Sequence, residues 1–315
     1  MNYIKDLNEG QHIVQVFLCK QKEQKTSKTQ KNYYALKLQD KTGILDGKVW
    51  DLNNAIGYFE ANEFILVDAE ITSFNGALQA NIRRIRRAEA GEYDPGEYLP
   101  STDLSIDDMY RQLMEYKDKI ANAKLKQLVE SFFVLDPKFI EAFKSHSAAK
   151  NVHHAFIGGL LQHTLRVTQL CYLYTEQYPV LNRDLLLTAA IFHDIGKIKE
   201  LSDFPNNDYT DEGQLIGHIV IGYQMVKERI DKLGGLPKKQ ETELLHCILA
   251  HHGQLEYGSP KKPSLIEALA LSHADDTDAK LEIMIEEFEH SQSNDFLGVN
   301  RFLDANIRKT SSDES

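Results

Sequence analysis

Between about residues 10 and 87, apolar and polar positions alternate in five short runs: QHIVQVFLCK, NYYALKLQD, GILDGKVWD, EFILVDAEITSF and GALQANIRRI. Each is rich in β-branched or aromatic residues, and most end in a turn signal such as DKTG, LDG or FNG. Five strands so punctuated predict a small barrel. Further along, the period lengthens to that of amphipathic helices. The helical segments are MYRQLMEYKDKI, AKLKQLVESFFV, the stretch around GGLLQHTLRVTQLCYLY, RDLLLTAAIFHDIGK, GHIVIGYQMVKERIDKL, KQETELLHCILAHHG and SLIEALALSHADDTDAKLEIMIEEF.

The two patterns are separated by GEYDPGEYLPSTDLSIDD, which carries two prolines and several acids with no sustained period. The expected organisation is therefore an all-β barrel over 1–90, a linker over 91–108, an all-α bundle over 109–292 and a polar, frayed tail over 293–315. A five-stranded barrel of this length is an OB-fold, whose exposed face and loops commonly hold single-stranded nucleic acid. From fold alone that function is an analogy.

Charge sharpens the division. The chain of 315 residues has a net charge of −11, which argues against a nucleic-acid partner for the molecule taken whole. Residues 1–90, however, hold 13 Lys and Arg against 11 Asp and Glu, leaving 23 against 36 for the remainder. Histidine is segregated too: His12 stands alone before residue 146, and the other 11 follow. Cys19, Cys171 and Cys247 are too few and too scattered for a disulfide framework or a thiolate metal site. No apolar run is long enough to span a membrane and no signal peptide is recognisable, so a cytoplasmic protein with no membrane partner is expected.

The chemistry is concentrated in the helical region. IFHDIGK sets His193 and Asp194 side by side after the apolar run LLLTAAIF, and a buried carboxylate is costly without a compensating charge. His163, His218, His251, His252 and Asp275 lie on other helical segments or at their ends, so a bundle with these elements facing inward would bring them together. Imidazole and carboxylate without thiolate suit Mn, Fe, Co, Ni or Zn. Consecutive helical residues diverge by about 100°, so His193 and Asp194 reach one metal only near a helix end, where the carboxylate can touch a second ion. Two ions about 3.5–4 Å apart would share a hydroxide and clamp the attacking and leaving oxygens of a phosphoryl displacement.

His163, the His193–Asp194 pair and Asp275, in that order on separate helices, resemble the defining set of the HD-domain metal-dependent phosphohydrolases. His218, His251 and His252 match the further ligands of two-metal members. With an OB-type barrel ahead, the whole chain resembles the bacterial YhaM-type 3′-to-5′ exoribonucleases, through NVHHAFIGGLLQHT, IFHDIGK, GQLIGHI, LAHHGQLEYGSPKKP and EALALSHADDTDAK. The resemblance implies a metal-dependent exonuclease acting on single-stranded RNA, with single-stranded DNA left open, and releasing mononucleotides. Cleavage polarity comes from the resemblance alone. On this reading His163, His193, Asp194 and Asp275 hold one ion, and Asp194, His218, His251 and His252 the other. Manganese is the first choice of metal. Lys197, one helical turn after His193, would neutralise a phosphate oxygen. The alternative is an HD hydrolase of a small signalling nucleotide, with the barrel used for assembly; self-association is left open.

Other residues carry weaker expectations. His154 is a candidate substrate contact, with a capping or packing role equally open, while His246 and His273 are expected to be structural. Asp276 and Asp278 are expected behind the ligands or facing solvent. On the barrel, the lysine-rich loop containing Lys28 and Lys31, the alternating faces with Tyr33 and Lys37 and with Lys48 and Trp50, and the RRIRR run with Arg84 and Arg86 offer the aromatic and cationic contacts of single-strand binding. Solvated loops and core packing compete as explanations for these residues. Phe17, Phe64 and Phe74 are assigned to the core.

Overall fold

The computed structural model describes residues 2–27, 30–53, 55–74, 76–99, 102, 104–150, 156–291 and 295–311. The chain divides into two compact units, Met1–Ser101 with Asp203–Asn206, and Thr102–Ser202 with Asn207–Ser315.

In the first unit β1 (His12–Thr26), β2 (Asn32–Asp40), β3 (Gly43–Val49), β4 (Glu63–Phe74) and β5 (Ala77–Arg87) close into a barrel in the order β1-β2-β3-β5-β4. All neighbours are antiparallel except β3 and β5. This is the five-stranded OB arrangement that the strand pattern predicts. β1 is long enough to pair with β4 through its first half and β2 through its second, and a bulge between Cys19 and Gln21 bends it from one partner to the other. Alternation sends Leu36 and Leu38 of β2, Leu45 and Val49 of β3, and Ile65, Val67, Ala69 and Ile71 of β4 into one core.

Residues 91–99, expected as linker, pack on this barrel. Tyr98 and Leu99 are buried, Tyr93 stacks on Phe64 with centroids 4.0 Å apart, and Gln39 Nε2 donates to the Tyr98 carbonyl at 3.0 Å. The acids and the proline of this stretch hide its period, but its tyrosines and leucine still find apolar surface.

The second unit contains α1 (Ile106–Asp118), α2 (Ala123–Phe133), α3 (Pro137–Ser145), α4 (Gly159–Gln177), α5 (Arg183–Phe192), the short α6 (Lys197–Glu200) and α7 (Asp211–Leu215), α8 (His218–Leu233), α9 (Lys238–Leu249) and α10 (Ile266–His290). Side-chain oxygens of Ser105, Asn122, Asp136 and Asn182 cap the first turns of α1, α2, α3 and α5. The helix expected over RDLLLTAAIFHDIGK stops at Phe192, and residues 193–196 form a turn leading into α6. Phe192 anchors this end: its ring meets Phe132 at 5.3 Å, and Phe132, Phe133, Phe139 and Phe143 continue the cluster. Gly196 follows because nothing larger fits. A Cβ there would lie 2.0 Å from the His218 carbonyl oxygen and 2.7 Å from the Gly222 nitrogen, so the turn rests directly on the backbone of α8.

Where a polar, frayed tail is expected, Val299–Asn300 and Ala305–Asn306 pair as a small antiparallel ribbon (β6 and β7), and Ile307 is buried. Scattered apolar residues among serines and asparagines supply this order without a visible period.

Candidate metal centre

Five elements of the helical unit converge on Asp194. His163 comes from the first half of α4, His193 and Asp194 from the turn after α5, His218 from the first residue of α8, His251 and His252 from just beyond α9, and Asp275 from the middle of α10. Three of these five elements contribute from a helix end, where a short step in sequence swings a side chain off the helix surface and into the bundle. His163, His193, Asp194 and His251 are almost wholly buried.

The two oxygens of Asp194 face different neighbours. Oδ2 lies 3.4 Å from Nε2 of His163 and 3.4 Å from Nε2 of His193. Oδ1 lies 3.4 Å from Nε2 of His218 and 3.4 Å from Nε2 of His251. Asp275 Oδ1 completes the first group at 3.1 Å from His163 Nε2, and the ring of His252 borders the second, 5.1 Å from the His218 ring and 4.5 Å from that of His251. Within His163, His193 and Asp275, and again within His218, His251 and His252, one ligand atom per residue lies within 4.8 Å of the others.

The tautomers follow from the outer partners. Nδ1 of His193 donates to the Ala190 carbonyl at 2.8 Å, that of His251 to Ile248 at 2.7 Å, and that of His252 to Tyr257 at 2.8 Å. Nδ1 of His163 meets Asp278 Oδ2 at 2.7 Å and Nδ1 of His218 meets Glu200 Oε1 at 2.9 Å. With the Nδ1 atoms of all five rings held by these outer partners, Nε2 is the ring atom left to face the centre. Burial pushes the pKa values of His251 and His252 down, favouring the neutral ligand form. Burial opposes ionisation of Asp194 and Asp275. Lys197 and His193 around the former, and His163 and His193 around the latter, nonetheless hold both below the usual carboxylate range.

This donor set fits divalent cations. Asp194 Oδ1, His218 Nε2 and His251 Nε2 are buried without a hydrogen-bond partner, and both nitrogens lie 3.4 Å from that oxygen. Such a cluster is costly unless a positive charge sits among it. Ligand bonds of about 2.0–2.2 Å opening at 90–110° hold their atoms about 2.9–3.5 Å apart, which matches the spacings here.

Lys197 Nζ lies 2.6 Å from Asp194 Oδ2 and lines the cavity over the site. Asp278 is a buried partner of His163, supported by Arg166, which also pairs with Glu282. Asp276 is exposed and pairs with Lys280, and His246 accepts from the Ser264 backbone. His154 and Lys28 lie outside the described residues. Sequence reasoning missed Glu200, which binds both the ring and the backbone nitrogen of His218. Its one signal is position, seven residues after His193 in the segment that crosses the site.

On the barrel, Tyr33 and Trp50 stack with centroids 4.6 Å apart, half of Trp50 is exposed, and Lys48 Nζ lies 5.9 Å from the Tyr33 ring. Lys37 pairs with Asp46 at 2.8 Å, while Lys31 and Arg84 are exposed. Arg86 differs from expectation: it is held by Glu92 in a bidentate pair of 2.7 and 2.6 Å, so its guanidinium is already engaged. Phe74, assigned to the core, is 65% exposed at the end of β4. Its parity with Asp68 and Glu70, opposite to Ile65, Val67 and Ile71, is the signal that it faces outward. Phe64 shares that parity and is covered instead by Tyr93 and Tyr98.

A closed OB barrel followed by a helical bundle with histidines and aspartates around one buried carboxylate defines a two-domain protein of the HD phosphohydrolase class. A model of the HD domain matches residues 160–280. A 3′-5′ exoribonuclease YhaM of Listeria monocytogenes serotype 4b (strain CLIP80459) is 31% identical over 92% of this chain and 92% of its own. Those of Geobacillus sp. (strain WCH70) and Bacillus pumilus (strain SAFR-032) are 32% and 31% identical, over 91% of this chain and 88% and 91% of theirs. Among solved structures, the second OB-fold domain of replication protein A from Methanococcus maripaludis matches 29% of this chain and 98% of its own, at 18% identity and a TM-score of 0.24. The chain belongs to the YhaM 3′-5′ exoribonuclease family.

Proposed function

We propose that this protein is a metal-dependent 3′-to-5′ exoribonuclease that shortens single-stranded RNA of the cytoplasm and releases nucleoside 5′-monophosphates. The observation that carries the reading is Asp194, whose two oxygens face two separate groups of histidine nitrogens in a chain whose relatives bear that name. His163, His193, Asp194 and Asp275 would hold one divalent ion, and Asp194, His218, His251 and His252 a second, with manganese the metal we assign. Bound there, the ions supply positive charge for the phosphodiester and acidify water. Lys197 adds a charge beside Asp194 for a non-bridging phosphate oxygen. Water attacks the last phosphorus, the bond to O3′ breaks, and the shortened RNA keeps a 3′-hydroxyl.

On the barrel, Tyr33 and Trp50 offer a stacking platform flanked by Lys31, Lys37 and Lys48, with Arg84 as a further phosphate contact. The barrel's net positive charge supports this division of labour, since the helical region is strongly acidic. The test is a time course on 5′-labelled single-stranded RNA with Mn²⁺. Products shortening stepwise from the 3′ end are expected. Inert RNA together with turnover of a cyclic dinucleotide would overturn the reading in favour of small-nucleotide hydrolysis.

A further inference from the structure

The cavity above the histidines has a volume of about 460 Å³, on the scale of pockets that hold one small ligand. Beside the histidines, its charged lining is divided, with Lys150 and Lys197 against Glu200, Asp275 and Asp276. The phosphates of an RNA end can meet the metal centre and those two lysines, but its nucleobase carries no charge, so the hold on the base must come from uncharged contacts. Beyond the histidines, two aromatic side chains among the described residues line the cavity, Tyr209 and Tyr257. Tyr257 is 67% exposed and Tyr209 44%, and neither ring has an aromatic partner among the described residues.

Tyr257 is fixed relative to the centre by its own backbone. Its carbonyl accepts the Nδ1 proton of His252 at 2.8 Å, at the end of a 3₁₀ turn (Leu255–Tyr257) closed by Gly258 at φ +83°. The same loop is pinned at both ends. Gly253, at φ +73°, lies so close to α10 that a Cβ would sit 2.3 Å from Ser272 Oγ, and the buried Ser259 hydroxyl bonds the Leu249 and Lys261 carbonyls. Tyr209 is held by a bridge between its backbone and Leu201, with Lys150 Nζ 5.8 Å from its ring.

We propose that Tyr257, with Tyr209, forms a nucleobase subsite that stacks the 3′-terminal base of the RNA and so positions the last phosphodiester over the metal centre. The inference rests on the exonuclease reading above. Stacking accepts any base, because every base has a π-face, so this subsite holds the strand end without selecting its sequence.

The test compares 5′-labelled RNAs that end either in adenosine or in an abasic ribose, measuring single-turnover removal of the terminal residue by the full-length protein. Wild type should lose about tenfold or more in kobs/K1/2 on the abasic end. Tyr257→Ala should cleave both ends at the same reduced rate, while Tyr257→Phe, which keeps a stacking face, should retain the discrimination. Metal content equal to wild type confirms that Tyr257→Ala is folded. An abasic penalty in Tyr257→Ala as large as in wild type overturns the subsite alone. Wild type inert on both RNAs overturns the exonuclease reading and the subsite with it.

Discussion

Asp194 Oδ1 lies 3.4 Å from Nε2 of His251, and neither atom has a hydrogen-bond partner although both are buried. Two electron-rich atoms in that position repel, so the fold has stored unfavourable electrostatics at a place where a cation would reverse its sign. The stability of the bundle and the chemistry of the site therefore meet at one carboxylate.

The turn bearing Asp194 depends on Gly196. Gly196→Ala would force a methyl group to within 2.0 Å of the His218 carbonyl oxygen, so the turn and the start of α8 must separate. Overpacking of this kind costs about 1–3 kcal/mol, and the melting temperature should fall by several degrees. Bound metal should fall as well, because His218 moves away from Asp194. A melting curve and metal analysis of the same sample check both effects. Unchanged values would show that the close approach is not needed.

His163 couples the site to pH. Burial opposes its protonation, but the carboxylates of Asp194, Asp275 and Asp278 outweigh that and hold its pKa well above the ordinary histidine value. In the metal-free protein, His163 therefore stabilises the fold fully below its unfolded pKa of about 6.5, and that contribution is lost as pH rises through the folded value. Metal must displace the proton, so apparent affinity should strengthen with rising pH until the folded pKa is passed. Calorimetry in buffers of different ionisation enthalpy should record proton release on metal binding. Asp278→Asn should reduce that release and weaken metal binding by about 10–100-fold, and excess metal should restore activity.

How far the sequence announced this site varied with the kind of signal. The inward-facing histidines and aspartates are legible because they are polar and set into apolar helical text, and the strands of the barrel because short β-branched and aromatic runs, alternating as from Val67 to Ile71, end in turn signals. The helix end at Phe192 was not read from the pattern, because the apolar run LLLTAAIF passes into HDIGK without a proline or a strong cap. Glu200 and the burial of Asp278 depend on contacts between separate helices, which no local period records. Packing of residues 91–99 on the barrel was masked in the same way, by acids and prolines around Tyr93, Tyr98 and Leu99.

The barrel face makes separable predictions. Trp50→Ala removes a stacking surface and should weaken single-stranded RNA binding by about 5–150-fold, that is about 1–3 kcal/mol, with little change in salt dependence. Lys48→Ala should act differently, lowering the slope of log affinity against log salt by about 0.7 if Lys48 meets one phosphate. Fluorescence anisotropy across a salt series measures both. Identical slopes for Lys48→Ala and wild type would remove Lys48 from the phosphate path.

The buried cysteines supply a control on folding. Burial pushes the thiol of Cys19 up to about 11 and that of Cys247 up to about 12, so neither forms thiolate near neutral pH. Native protein should react with a thiol reagent only as fast as it opens, and the three free thiols should titrate rapidly in denaturant. Rapid reaction of native protein would mean that a cysteine is reached without unfolding.

The most direct test of the account is electron paramagnetic resonance of the Mn²⁺-loaded protein, combined with metal counting. Wild type should bind two ions per chain with a spin-coupled signal, as expected for ions about 3.5–4 Å apart. Asp194→Asn should lose the coupling along with RNA hydrolysis, by a factor of about 10³ or more, while keeping its helical circular dichroism. An unchanged coupled signal and retained cleavage in Asp194→Asn, or uncoupled ions in wild type, would contradict a centre built around this carboxylate.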